Sequence, residues 1–200
     1  MKLFLFRCVL NNKLLWYLIV VGLFLWGWCA PMAGQVLAVE SAYAASVEYE
    51  VKAAFIHNFT QFIDWSRDSF EGEDSPIRIG ILGTGPIDTS LMNLNGKKVQ
   101  RRSLEVARVN DLKNANEHHI IFINSSEKGQ IRSILRSLKN TGILTIGDMP
   151  GFAKECGIIN FYLKNGKVRF EINLEASHRE NLKISSKLLR LARIVSSQCD

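Results

Sequence analysis

The stretch RIGILGTGP, Arg78 to Pro86, has the residue types of a phosphate cradle: a short apolar strand, glycines, then a helix start. A Walker-type loop needs Gly-Lys-Ser/Thr after its glycines, because the lysine neutralises phosphate charge and the hydroxyl holds magnesium. Here Gly85 is followed by Pro86 and Ile87. The dinucleotide fingerprint needs G-x-G-x-x-G, whereas Gly80, Gly83 and Gly85 are spaced G-x-x-G-x-G, with Gly80 inside the strand. Its acidic residue about twenty positions on would be Glu105, which falls in mid-strand. Gly83 and Gly85 instead permit a tight exit from the strand, and Pro86 suits the first turn of a helix. The loop reads as a turn.

Other reactive residue types are no better grouped. His118 and His119 are adjacent at a strand start, so they point to opposite faces and make a poor pair for one metal. His57 sits on a helix among polar neighbours, and His178 in the polar stretch before the last helix. No serine stands in a G-x-S-x-G elbow. Cys156-Gly157 has no histidine beside it. Asp148 follows a strand end, where α/β enzymes often place acids, but Gly147 before it and Pro150 after suit a cap or turn. No enzyme, metal site or cofactor is expected from these residues.

The N-terminus carries a different message. Leu14 to Ala30 are 17 residues without a charge, preceded by Lys2, Arg7 and Lys13 and no acid. Small residues follow in an A-x-A pattern at Ala42, Tyr43 and Ala44. This reads as a secretory signal peptide over residues 1–44, cleaved before Ala45, with a domain over 45–200. Cleavage after Ala38, or retention as an anchor at the lower limit of membrane-spanning length, are the alternatives. Trp28 ahead of Cys29 argues against a lipoprotein.

Cleavage would remove three of the 25 basic residues and one of the 19 acidic ones, leaving a net charge of +4. That is too mild to argue for nucleic acid. Two of the four cysteines would remain, Cys156 and Cys199. They pair with each other, or Cys199 bridges two chains, or Cys156 is a free buried thiol.

The remaining pattern describes the scaffold. Ser46 to Trp65 place Val47, Val51, Phe55, Phe59 and Phe62/Ile63 on one helical face. Strands are expected at Arg78–Leu82, Leu104–Val109, His119–Ile123 and Ile143–Asp148. Helices are expected at Ile87–Leu94 and from Ser125 or Ser126 through Leu138. Strands apolar on both faces and alternating with helices imply a mainly parallel sheet covered on two sides. GIINFYLKNGKVRFEINL then reads as a hairpin about Asn165-Gly166. Ile184, Leu188, Leu191 and Val195 suggest a terminal helix. The expectation is one α/β domain: a mainly parallel sheet flanked by helices on both faces, with a C-terminal hairpin and terminal helix.

Several of these stretches, in order, resemble the YfiR-like family of bacterial periplasmic proteins. The early helix is similar through Lys52, Ala53, Phe55, Asn58, Phe59 and Trp65, and IRIGILG through its strand. Gly96, Lys97 and Arg102 resemble the family's glycine-lysine turn and arginine. ILTIGD, GIINFY, KVRFEINLEA and ISSKLLRLARIV follow in matching order. Departures are His118 where many members carry cysteine, Cys156-Gly157 where many carry two glycines, and Ser66 where proline often follows the tryptophan. A relative's disulfide pattern therefore does not transfer.

The resemblance implies a non-catalytic, dimeric regulator. It would bind the periplasmic sensor portion of an inner-membrane diguanylate cyclase and hold it inactive, keeping cyclic diguanylate and biofilm formation low. The alternatives are a small-molecule sensor with a pocket at the carboxyl ends of the strands, or an enzyme with a site invisible to motifs. Candidate binding residues are the alternating polar row Arg169, Glu171 and Asn173 and the aromatic residues Phe55, Phe59 and Trp65. The same residues also fit a solvated or internally paired sheet face and a packed core. Lys97, Lys98, Arg101 and Arg102 read as a solvated basic turn.

Overall fold

The computed structural model of the chain describes residues 43–196; of the expected export segment 1–44 only the last two residues fall among them, and Cys199 lies outside. Val47–Asp200 make one compact unit, and of Met1–Ser46 only residues 43–46 are described, as helix.

The first helix, α1, is described over residues 43–59. Ala53, Ile56 and Phe59 are buried along it, a stripe at helical spacing. It ends sooner than the apolar periodicity predicts. The Gln61 and Phe62 amides bond back to Asn58 and Phe59 in a tightened last turn, and β1 (Ile63–Asp64) leaves as strand. After a short helical turn at Arg67–Ser69 come β2 (Ile77–Leu82), α2 (Asp88–Met92), β3 (Lys98–Val99) and β4 (Arg102–Val109). A turn at Leu112–Glu117 leads to β5 (Ile120–Ile123), α3 (Ile131–Ser137) and β6 (Leu144–Gly147). The chain closes with β7 (Ile159–Lys164), β8 (Lys167–Asn173), α4 (Leu174–Arg179), β9 (Lys183–Ile184), α5 (Ser186–Leu189) and β10 (Arg193–Val195).

Eight strands form the main sheet in the order β10-β8-β7-β6-β5-β2-β4-β3. Its centre, from β4 across β2, β5 and β6 to β7, is parallel. In chain order those five strands run 2-1-3-4-5, a doubly wound arrangement. The β7–β8 hairpin is antiparallel, and Asn165 and Gly166 both take positive φ at its turn. β1 and β9 pair separately as a small antiparallel ribbon.

Side chains alternate between two cores, as a sheet covered on both faces requires. On β5, Ile120 and Phe122 join Ala53, Ile56, Phe59, Ile87, Leu91 and Phe161 on one face. Ile121 and Ile123 join Leu82, Ile134, Leu135, Leu138 and Phe152 on the other. The expected α/β architecture is therefore present, with α1 and α2 on one side and α3 on the other.

The end of the chain differs from its periodicity. The terminal helix is one turn long: Ser185 caps α5 through the Lys187 amide, and the helix stops at Leu189. Leu191 is exposed, and Arg193–Val195 instead join β8 as a parallel edge strand. That pairing covers the open edge of β8 and brings Arg193 to the buried Glu171 carboxylate. Neither gain is visible in a helical wheel.

Candidate functional site

A doubly wound sheet offers a ligand crevice beyond the carboxyl ends of its strands where the order reverses, here between β2 and β5. In this protein the crevice is filled from within. Asn124, at the end of β5, donates through its side-chain amide to Leu82 O at 3.3 Å and to Asp88 Oδ1 at 3.0 Å. Arg108 pairs with the other Asp88 oxygen at 2.9 Å. The Thr84 amide is bonded to Ser126 Oγ at 3.0 Å. Gly85 has no side chain because a Cβ there would overlap Asn124 Oδ1, and Gly83 has φ +76°. The glycine loop is a turn packed on the protein's own side chains.

Asp148, just past β6, is joined to α1. Lys52, buried on α1, donates to Asp148 Oδ2 at 3.0 Å and pairs with Glu48 at 2.6 Å, with its ammonium 4.9 Å from the Tyr49 ring centre. Burial pulls the Lys52 pKa down, but the hydrogen bonds and charge of Glu48 and Asp148 outweigh it and hold the ammonium above the ordinary lysine value. Burial also raises the Tyr49 phenol. The aspartate that sequence position made a possible acid is committed to a salt bridge.

The polar row of β8 divides in the same way. Glu171 is buried, accepting from Asn160 Nδ2 at 3.0 Å and from Arg193, whose Nε lies at 3.0 Å and whose guanidinium sits over Tyr162. Asn173 is fully buried; its amide nitrogen donates to Ala153 O at 2.8 Å and its oxygen caps α4 through the Ala176 amide. Arg169 alone of the three is exposed. Phe55 and Phe59 pack with Phe161 and Phe170, with ring centres 4.9–6.2 Å apart. Phe59 is buried and Phe55 half-buried, so that stripe fastens α1 to the β7–β8 hairpin.

Trp65 lies elsewhere, in a cluster that spacing does not reveal. Its ring meets Phe70 and His119 edge-on, and its indole N–H donates to His119 O at 3.3 Å. Phe70 stacks on the buried His119 ring at 4.4 Å, and the Arg102 guanidinium lies 3.7 Å from the Phe70 ring centre. Arg102 also donates to Gly72 O and Ser75 O, so the basic residue expected in a solvated turn pins the 65–76 segment. The nearest signal in the sequence was the family pattern that singled out Trp65 and Arg102 separately. Lys97, Lys98 and Arg101 are exposed.

Cys156, half-buried at φ +75°, is disulfide-bonded, which removes the free-thiol reading; Cys199 lies outside the described residues. Among the described residues there is no group of three side chains able to hold a metal, and no helix is long and apolar enough to cross a membrane. Among the described residues, two of the open clefts lie beside the sheet. One of about 570 Å³ lies between α3 and the 149–155 turn, lined by Arg132, Arg136 and Phe152. Arg132 there forms a forked pair with Glu155 at 2.5 and 2.8 Å, which lowers the Glu155 pKa. The other, about 510 Å³, opens beside Trp65, Phe70 and His119.

Comparison with known proteins gives one informative match. No curated protein matches the chain. Among solved structures, a conserved domain protein from Vibrio cholerae O1 biovar El Tor is similar at 13% identity, with 61% of this chain and 55% of that one covered and a TM-score of 0.45. An ABC domain in complex with L-Trp from Streptococcus pneumoniae is similar at 8% identity, with 59% and 55% covered and a TM-score of 0.43. The chain thus spans about half the length of each, and neither likeness bears on function. The family model described as YfiR/HmsC-like matches residues 49–193, from α1 to the start of β10. The chain belongs to the YfiR/HmsC-like family.

Proposed function

We propose that this protein is a periplasmic, non-catalytic regulator that binds the sensor portion of an inner-membrane diguanylate cyclase and holds it inactive. The observation that carries the reading is membership, over most of the chain, of a regulatory and generally periplasmic family that acts with signalling partners. The geometry is compatible with it. The crevice where an α/β enzyme would work is filled by Asn124, Asp88 and Arg108, and Asp148 is held by Lys52.

A regulator of this kind needs no reactive residue. It needs a rigid surface that binds one state of its partner more tightly than the other. Arg169, exposed beside the buried Glu171 and Asn173, is the member of the polar row free to meet a partner. Export by the residue 1–44 segment, a homodimer and a Cys156–Cys199 bridge belong to the same proposal.

Co-purification from detergent-solubilised membranes tests it. The folded wild-type protein is expected to retain a diguanylate cyclase, and Arg169→Ala to retain less. Folded protein that captures no cyclase would count against the reading. A second reading, a small-molecule sensor, has the 570 Å³ cleft beside α3 in its favour. A ligand-dependent rise in melting temperature without any partner would support it.

A further inference from the structure

The 65–72 segment crosses the amino-terminal ends of β2 and β5, where Arg102 holds its far end at Gly72 O and the His119 ring holds its middle at Ser69 O. The His119 ring has both nitrogens engaged by backbone: Nδ1 accepts from the Arg78 amide at 3.0 Å, and Nε2 lies 2.8 Å from Ser69 O. Since Nδ1 accepts, the proton must be on Nε2, which donates to Ser69. The ring is therefore the neutral tautomer. Phe70 stacks on it and Trp65 closes its edge, so the segment is built around an uncharged imidazole.

We propose that His119 is an acid-sensitive latch: adding a proton to Nδ1 releases the 65–72 segment and uncovers the ends of β2 and β5. A protonated Nδ1 becomes a donor facing the Arg78 N–H, so that hydrogen bond is lost and two donors are left opposed. Nε2 can still donate to Ser69 O, so the segment is freed when the ring turns away to relieve that clash and gives up Ser69 with it. The groups around the ring do not compensate. Arg78 on β2, Arg102 on β4 and the adjacent His118 disfavour a further positive charge. Asp68 and Glu71 on the segment and Glu117 on the preceding turn line the same cleft, but Glu71 is already paired with Arg78 at 3.1 Å. Thr141 and Gly142, across the cleft, are not titratable, and their amides are bound by Glu180.

Burial, first, and then the neighbouring cations hold the His119 pKa below the ordinary histidine value, against the Ser69 hydrogen bond. The unfolded or released ring titrates near about 6.5. The latch therefore contributes its full stabilisation above that pH. The contribution is lost as pH falls from there towards the lower folded value.

Hydrogen exchange on the full chain, read by mass spectrometry at pH 7.5 and 5.0 with intrinsic rates corrected, tests the latch. Protection of the Ser69, Phe70 and Arg78 amides should fall by about tenfold or more at the lower pH, while the β6 amides stay protected. In His119→Gln, which carries no charge at either pH, protection of the same amides should be the same at both, whether high or low. Glu71→Gln should keep the wild-type response. Equal protection of the wild-type segment at both pH values would overturn the proposal without reference to any variant. So would an acid response that survives in His119→Gln, or one that disappears in Glu71→Gln.

Discussion

Asn173 and Arg169 show how differently two residues of one alternating row can behave. Asn173 is fully buried, with its oxygen on the Ala176 amide and its nitrogen on Ala153 O. Asn173→Ala removes a helix cap worth about 1 kcal/mol. It also leaves a buried carbonyl with one partner fewer, at roughly 1–3 kcal/mol. A loss of about 2–4 kcal/mol is expected in a denaturant titration. Arg169→Ala, at an exposed position, should change stability by no more than about 0.5 kcal/mol and act only on partner binding. Alternation showed that these residues share a face. It could not show that Arg193, from a segment with helical periodicity, would arrive to pair with Glu171.

At the scale of elements, the parallel strands and the hairpin were legible because their signals are local: short apolar runs and Asn165-Gly166. Two boundaries were not. α1 gives way to β1 because Ile63–Asp64 pair with Ile184–Lys183, a contact more than a hundred residues away in the chain. The same long-range pairing, with β10 on β8, shortens the terminal helix. The Trp65–Phe70–His119 cluster was missed because its members come from different elements. The edge strand can be tested directly. Arg193→Ala should cost roughly 1–2 kcal/mol, because Glu171 stays buried with one donor fewer while the arginine itself is more than half exposed. Adding Glu171→Gln should recover part of the loss in a double-mutant cycle, since it removes the uncompensated charge. Full additivity of the two changes would show that Arg193 does not hold the strand through Glu171.

The whole molecule is a doubly wound scaffold whose usual ligand crevice is occupied by Asn124, Asp88 and Arg108. The family it belongs to is a regulatory one. The proposed repression of a membrane cyclase can be read in the cell that makes the protein. The measurement is intracellular cyclic diguanylate by mass spectrometry, with the gene deleted and then restored. A rise on deletion is expected, reversed by the wild-type protein and not by a version lacking residues 1–44. An unchanged level on deletion, in cells that normally hold the folded protein, would contradict it.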